Sequence, residues 1–348
     1  MAVTKAIVAR EPRFTALSWA LEDVTVCEEP GDDEVLVEII ASGVCHTDIV
    51  LSAVPSGQFG IQYPKVMGHE GSGYARKVGK NVTTVQSGDP VLLSFYSCGA
   101  CDQCAEKHPS YCHSFAMENY IGRKGHVNSA PAAGDKKEEE IYSRFFGQSS
   151  FCRYSIVDKA SVVNAKGLVR NEEEMRLFAP LGCGFQTGMG AIDNIAQTAN
   201  IRKIKTIIGV DRISSRLQLA KQLGATHTID TSPVGFNMHK AICGMFPNGV
   251  DCVIDTTGTP AIIEDGLRAL RKGGKLVLIG VPPMQYELSV NAIQHINTGR
   301  SVIGCLEGDC VPKDAIATIV QWYREGRFPI EKLVTYFEVR WPLPEFYI

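Results

Sequence analysis

A chain of 348 residues, 45% hydrophobic and 21% charged, is too apolar for a disordered protein and long enough for two domains with separate cores. Its formal net charge of −3 offers no basic field to gather nucleic acid or anionic lipid, so a small molecule is the expected partner. No apolar run approaches the roughly 18 residues of a membrane span, and the opening "MAVTKAIVAREP" lacks the apolar core of a signal peptide; a soluble cytoplasmic protein is expected.

In that compartment the twelve cysteines stay reduced, and clustered cysteines are more often metal ligands or catalytic groups than disulfides. Residues 1–165 read as one β-rich, partly barrel-like domain. Its short runs "EVLVEIIASGVC", "GHEGSGYARKVGKNV", "GDPVLLSFYSC" and "FCRYSIVDKASVVNA" alternate and are broken by glycine. The stretch "NSAPAAGDKKEEEIYSR" reads as an exposed loop with solvated charges. Between them, "CGACDQCAEKHPSYC" places Cys98, Cys101, Cys104 and Cys112 in the pattern C-x2-C-x2-C-x7-C. Four thiolates at this spacing can wrap one ion tetrahedrally, as in structural zinc sites; an iron–sulfur cluster also takes four cysteines.

Residues 166–335 change rhythm from Ile201 to apolar strand, polar helix, apolar strand, the pattern of a parallel sheet. "QTANIRKIKTIIGVD" predicts a buried strand through Ile204, Ile207, Ile208 and Val210 that ends on Asp211. A carboxylate at such a strand end holds the ribose of a dinucleotide. The helix "SSRLQLAKQLGA", stopped at Gly224, comes next, and then the strands "THTID", "GVDCVIDTTG", "GGKLVLIGVPP" and "SVIGCLEGD". "PKDAIATIVQWYREG" predicts a helix opened by proline and closed at Gly326. Residues 336–348 form an atypical tail in which Pro342 and Pro344 resist both helix and central strand.

"GVCHTD", "GHEGSGYARKVGKNV" with Gly68, His69, Glu70, Gly73, Gly79 and Val82, the four-cysteine lobe and "PLGCGFQTG" together resemble the zinc-dependent medium-chain alcohol dehydrogenases, from Lys5 to about Phe337. Within that family "FCRYSIVDK" and "CGFQTGMGA" are most similar to the aryl-alcohol dehydrogenase branch and to fungal members of secondary-metabolite pathways. The resemblance implies an α/β chain: a GroES-like zinc-binding catalytic domain, then a Rossmann-type doubly wound parallel sheet. It implies two zinc ions per chain. One is structural, on Cys98, Cys101, Cys104 and Cys112; the other is catalytic, on Cys45, His69 and Cys183, with the fourth position left to water or alcohol. Taken singly, Cys183 could be core packing and His69 a structural histidine.

By the same resemblance Glu70 acts near the metal, Asp48 takes the far N–H of the histidine ligand, Thr47 receives the alcohol proton, and His46 meets the cofactor pyrophosphate. Asp211 holds the ribose and selects NAD over NADP by repelling a 2′-phosphate; Arg216 lies near it, and the backbone of Gly280 and Val281 meets the nicotinamide. The implied reaction is hydride transfer between a primary or aryl alcohol and NAD, with zinc lowering the pKa of the alcohol. Many family members pass the proton on through a histidine three residues beyond the threonine. Here that residue is Val50, so the relay ends at the cofactor ribose or at water. Family members are commonly homodimers or homotetramers, and "SVIGCLEGD" resembles their intersubunit edge strand.

Two departures qualify that expectation. The family continues from "GFQTGMGAIDNIA" through a first strand, a G-x-G-x-x-G turn and a helix, whereas here "AQTAN" runs straight into "IRKIKTIIGVD". About 30 residues, one strand–turn–helix portion of a βαβ unit, are missing by this reading. Gly188-Met189-Gly190 follows no strand and is no substitute. The second departure is the tail, where the family returns to its catalytic domain. The alternative expectation is therefore a catalytically impaired zinc-binding remnant or splice form. A zinc-lacking quinone reductase of the same fold is disfavoured by the cysteine lobe.

Overall fold

The computed structural model describes residues 2–12, 17–130, 138–195 and 204–339. The chain divides into two compact units, residues 1–186 with 309–348, and residues 187–308.

In the first unit the strands, in chain order, are β1 (Ala2–Ala9), β2 (Trp19–Val26), β3 (Glu34–Gly43), β4 (Lys65–Val66), β5 (Glu70–Val78), β6 (Pro90–Leu93), β7 (Arg123–Ser129), β8 (Glu140–Ser143), β9 (Tyr154–Asp158) and β10 (Val162–Asn164). A closed barrel takes β1-β2-β7-β8-β4, and a five-stranded sheet has the order β10-β6-β5-β3-β9. β3 is central, with Val35, Val37 and Ile39 buried on one face and the glutamates Glu34 and Glu38 paired with Arg144 and with Arg76 and Arg153; it pairs antiparallel with β5 on one side and β9 on the other. Val35, Val37 and Ile39 meet Ala75, Val91, Leu93 and Val157 in one core. Helix α1 (His46–Ser52) starts directly after β3.

The stretch read as an exposed loop is corrected at both ends: Asn128 and Ser129 close β7, Glu140–Ser143 is β8 with Ile141 and Ser143 buried, and the charge of Arg144 is buried rather than solvated. Burial alternates along β8, with Ile141 and Ser143 inward and Glu140 and Tyr142 less so, as a barrel strand requires. Further on come α2 (Asp102–Ala105) in the cysteine lobe, α3 (Glu172–Leu177) and α4 (Gly184–Gly190), which runs into a π-turn over Ala191–Ile195.

The second unit carries β11 (Ile208–Asp211), α5 (Ser214–Gln222), β12 (His227–Asp230), α6 (Met238–Met245), β13 (Val250–Asp255), α7 (Pro260–Ala269), β14 (Leu270–Leu278), α8 (Ala292–Thr298) and β15 (Ser301–Gly304). Among the described residues its strand pairs are all parallel. Ile229, Met238, Ile242 and Ala269 form a core that also takes Ile208 and Val210 of β11. Among the described residues the strands make two ladders, β11-β12 and β13-β14-β15.

The predicted strand through Ile204 is shorter than expected. It begins at Ile208, and its residues are half-buried; Ile204 and Ile207 precede it at 46% and 44% exposure. The backbone of Ile207 is instead tied to Thr226, and β11 pairs on one side only among the described residues, so the preceding isoleucines have no second strand to pack beside. Residues 196–203, where the glycine turn is missing by the sequence reading, lie outside the described residues, as do Pro342 and Pro344.

Helix α9 (Pro312–Arg324), opened by proline and followed by Gly326 at φ 69°, belongs to the first unit. There Arg324 clamps Glu174 of α3 with two hydrogen bonds of 2.5 Å. No helix among the described residues is long and apolar enough to cross a membrane.

Candidate functional site

Three chain segments deliver one cluster in the first unit. Cys45 is the residue before α1, His69 and Glu70 stand at the entry to β5, and Cys183 ends the tight turn Ala179–Gly182. Their ligand atoms all lie within 4.8 Å of one another. Cys45 Sγ and Cys183 Sγ are 4.0 Å apart, close to the separation of about 3.8 Å that two sulfurs take on one tetrahedral zinc with bonds of about 2.3 Å.

His69 is oriented by Asp48. Its Nδ1 lies 3.1 Å from Asp48 Oδ1, and both side chains are fully buried. Nδ1–H therefore donates to the carboxylate, which leaves Nε2 as the nitrogen that meets a ligand once it gives up its proton. That atom is buried without a hydrogen-bond partner, a costly condition in a protein interior that a metal ion would relieve. Two thiols, an orphaned imidazole nitrogen and a buried carboxyl fit zinc in donor type and number.

Asp48 also holds the backbone around it. Its Oδ2 accepts from Cys45 N and its Oδ1 from Gly68 N, each at 3.0 Å. Gly68 has φ 89°, and a Cβ there would meet Phe151, so glycine is what lets the chain turn into His69. Cys183 is fixed through the carbonyl of Gly182, which accepts from Ser94 Oγ and from Gln186 Nε2, both at 2.6 Å.

A second support was not legible in the sequence. The loop from Arg144 to Ser149 places Arg144, Phe146 and Ser149 at φ 65°, 52° and 56°, a left-handed geometry that costs non-glycine residues energy. It is pinned by Ser149 Oγ, which accepts from Phe145 N and donates to Val66 O, and by the buried Arg144, paired with Glu34 and Asp158. The strained loop stacks Phe146 on the His69 ring with centroids 4.4 Å apart and sets Phe145 edge-on at 5.6 Å. It also buries Gln148, whose Nε2 donates to His69 O at 2.8 Å and to Ser94 O at 3.0 Å, while its Oε1 accepts from Gly71 N. A lone glutamine in "FFGQSS" carries no periodicity that would single it out.

The electrostatics follow from this burial. The Cys183 thiol, and after it His69, hold the Cys45 thiol down at about 3 against the effect of burial. Burial opposes charge on His69, but the Asp48 carboxylate holds its pKa well above the ordinary value. Burial, reinforced by Cys45, pushes the Glu70 carboxyl up to about 8; Glu70 Oε1 accepts from Gly184 N at 3.1 Å. Thr47 is half-buried and His46 exposed on the first turn of α1.

Cys98, Cys101, Cys104 and Cys112 form a second cluster within 4.8 Å. The Cys98–Cys104 and Cys101–Cys112 sulfurs are each 4.0 Å apart. Cys98 Sγ accepts the backbone N–H groups of Ala100 and Cys101 at 3.4 Å, and Cys112 Sγ that of Cys98 at 3.3 Å. Amides aimed at sulfur favour thiolates, and Gly99 at φ 67° makes the first turn possible. None of the twelve cysteines forms a disulfide.

In the second unit Asp211 closes β11; its Oδ1 accepts from Ile213 N at 2.9 Å, and Arg216 Nη1 of α5 lies 3.9 Å from Oδ2. Gly280 and Val281 follow β14 and lie against Gly258, where a Cβ on either glycine would strike the other turn. Asp255, which the sequence reading did not single out, organises that contact: its buried carboxylate accepts from Thr257 N, Thr257 Oγ1 and Gly258 N.

Residues 31–167 match the family "Alcohol dehydrogenase GroES-like domain" and residues 193–325 match "Zinc-binding dehydrogenase". The chain is 32% identical to geraniol dehydrogenase of Castellaniella defragrans over 91% of its own length and 87% of that protein. Among solved structures it is similar to an alcohol dehydrogenase zinc-binding domain protein from Burkholderia ambifaria (TM-score 0.84, 33% identity, covering 97% of this chain and 92% of that one). It is also similar to benzyl alcohol dehydrogenase from Acinetobacter calcoaceticus (TM-score 0.82, 32% identity, covering 97% and 93%).

Proposed function

The chain belongs to the zinc-binding alcohol dehydrogenases with a GroES-like domain, and we propose that it interconverts a primary or aryl alcohol and its aldehyde by hydride transfer with NAD. The observation that carries this reading is the buried set Cys45, His69 and Cys183, with His69 Nε2 unpartnered and Nδ1 held by Asp48. These three residues would hold catalytic zinc, and Cys98, Cys101, Cys104 and Cys112 a structural zinc. The catalytic ion supplies a Lewis acid that lowers the pKa of an alcohol hydroxyl.

The chain's own groups do the rest. Asp48 fixes the tautomer of His69, and Gln148 holds its backbone carbonyl. Glu70 is a buried carboxyl next to His69 whose Oε1 accepts from Gly184 N, within the ligand cluster where it acts near the metal in this reading. Thr47, one position from His46 and two from Cys45, takes the alcohol proton in this reading. Val50 ends the relay within the protein. The rings of Phe145 and Phe146, buried against His69, hold that imidazole in place, and the names of two relatives, benzyl alcohol dehydrogenase and geraniol dehydrogenase, support a primary or aryl alcohol as substrate. Asp211 favours NAD, because its carboxylate repels a 2′-phosphate.

A catalytic domain over residues 1–165, a dinucleotide-binding domain over 166–335 and a tail over 336–348 are supported by the family matches at 31–167 and 193–325, with residues 166–186, which carry Cys183, and 309–335 packing in the unit of the catalytic domain. Twelve cysteines, six of them gathered into two ligand clusters, suit a cytoplasmic protein. A homodimer or homotetramer is supported by α8, where Ile293 and Ile296 are 71% and 79% exposed beside β15, an edge strand among the described residues.

The test is turnover of benzyl alcohol with NAD and with NADP by protein of measured zinc content. NAD-dependent turnover that needs high NAD concentration and that chelation abolishes is expected; turnover with NADP alone, or none on any primary or aryl alcohol at saturating NAD, overturns the proposal. A second reading, a zinc-binding form impaired in cofactor binding, is favoured by the two separate parallel ladders among the described residues and by the absence of a G-x-G-x-x-G turn from the sequence. Full zinc content with no cofactor binding would select it.

A further inference from the structure

Outside the catalytic cluster a third group of ligand types comes together: Cys101, Asp102 and His113 offer a sulfur, a carboxylate oxygen and a ring nitrogen within 4.8 Å of one another. His113 Nε2 lies 2.6 Å from Asp102 Oδ1, and the two side chains are 65% and 63% exposed. Cys101 belongs to this group and to the four-cysteine lobe at once. We propose that Cys101, Asp102 and His113 form a surface exchange site through which a zinc ion enters and leaves the lobe, the Cys101 sulfur serving both positions.

The need for such a site follows from the lobe's chemistry. Four thiolates close a tetrahedral zinc and leave no open position, and Cys112 is buried at 4% exposure, so an ion cannot meet all four sulfurs in one step. Cys101 is the sulfur with non-cysteine ligand types next to it on the solvent side. Asp102 and His113 add one hard oxygen and one borderline nitrogen, donors that zinc accepts. As a stabilising ion pair they would contribute little, because both are solvated. The backbone N–H of His113 also reaches the Cys101 sulfur, which fixes the His113 chain beside it.

The exchange is pure ligand substitution. Hydrated zinc gives up water ligands as Cys101 Sγ, an Asp102 oxygen and a His113 ring nitrogen bind. The bonds to Asp102 and His113 then break as the Cys98, Cys104 and Cys112 sulfurs bind, and the thiol protons pass to water. No electron is transferred, and the departing ion retraces the path.

The inference rests on the lobe holding zinc, so the test reads that first. Zinc-loaded full-length protein carrying Cys183→Ser, which confines tightly held zinc to the lobe, is placed in isotopically enriched zinc, and the isotope ratio of the bound metal is followed by mass spectrometry. His113→Ala and Asp102→Asn should each slow exchange about tenfold, the scale on which supporting groups affect metal sites, with the starting zinc content unchanged. His113→Cys, which keeps a zinc ligand but cannot make the ion pair, should restore the rate. A loaded lobe whose exchange rate is unchanged in both His113→Ala and Asp102→Asn refutes the exchange site alone, as does a His113→Cys chain as slow as His113→Ala. A lobe without zinc at the start refutes the lobe reading and the exchange site with it.

Discussion

Asp48 Oδ1 and His69 Nδ1 meet at 3.1 Å with both side chains wholly shielded from solvent, and the same carboxylate accepts the backbone N–H groups of Cys45 and Gly68. One side chain thus sets the position of two residues proposed as metal ligands. An amide in its place has one acceptor oxygen and turns an N–H₂ group toward N–H donors. Asp48→Asn should therefore weaken binding at the Cys45–His69–Cys183 cluster about 10–100-fold, measured by competition with a chromogenic chelator. Wild-type affinity in this variant would show that the geometry survives without the carboxylate.

Two separate ligand clusters lead to an expected content of two zinc ions per chain by elemental analysis of protein purified without chelator. The clusters should respond differently to loss of a ligand. Cys101→Ser should lower the melting temperature, because a closed four-thiolate site contributes folding energy, whereas Cys183→Ser should leave melting nearly unchanged and remove turnover. One ion per chain would count against the second site.

If the chain turns over, Thr47→Val should reduce kcat about 10²–10⁴-fold, the usual scale of general acid–base help. Val50→His should leave the rate unchanged or raise it, since it adds a relay member where the present chain has none. Full activity in Thr47→Val removes that hydroxyl from the proton path.

Cofactor affinity should be weak. Asp211 and Arg216 stand at the end of β11 and on α5, but no glycine turn in the sequence leads a helix N-terminus toward two phosphates. Each lost charge-assisted hydrogen bond is worth roughly 1.5–3 kcal/mol, so losing two or three lowers affinity by orders of magnitude. Calorimetric titration with NAD should show this, and grafting a strand–turn–helix segment between Asn200 and Ile201 should strengthen binding. Micromolar NAD affinity in the ungrafted chain would mean that another segment receives the phosphates.

Lys65 supplies a pH signature in the barrel. Its Nζ is buried and donates to the carbonyls of Tyr120 and Ile121 at 2.5 and 2.9 Å, and burial pushes its pKa down from 10.5 to about 7. Below the folded value both states carry the proton, and the cost of burying the charge is present in full. Between that value and 10.5 the unfolded chain binds the extra proton, so stability rises with pH. Denaturation midpoints of the native chain and Lys65→Met should therefore converge as pH rises through this window, with a slope difference of up to about 1.4 kcal/mol per pH unit. Parallel curves would show that the two carbonyls stabilise the ammonium enough to keep it charged.

The four-cysteine lobe was legible because its ligands are close in sequence and one short loop can bring them together, so spacing alone carries the geometry. The helix Pro312–Arg324 was legible for a similar reason, since proline and glycine act on their own backbone. The strand ending at Asp211 was readable in type and end point, but its start was not, because burial of Ile204 and Ile207 depends on a neighbouring strand and not on their own side chains. Cys45 and Cys183 lie 138 residues apart in the chain, and their pairing was available beforehand only through resemblance; the sheet and the turn after it bring the sulfurs to 4.0 Å. Gln148, Phe146 and Lys65 were invisible altogether. Their roles come from what the fold places against them: a carbonyl, an imidazole face and the end of a helical turn. Local spacing and backbone chemistry are properties of the sequence itself, whereas burial and contacts between distant residues exist only once the chain has closed on itself.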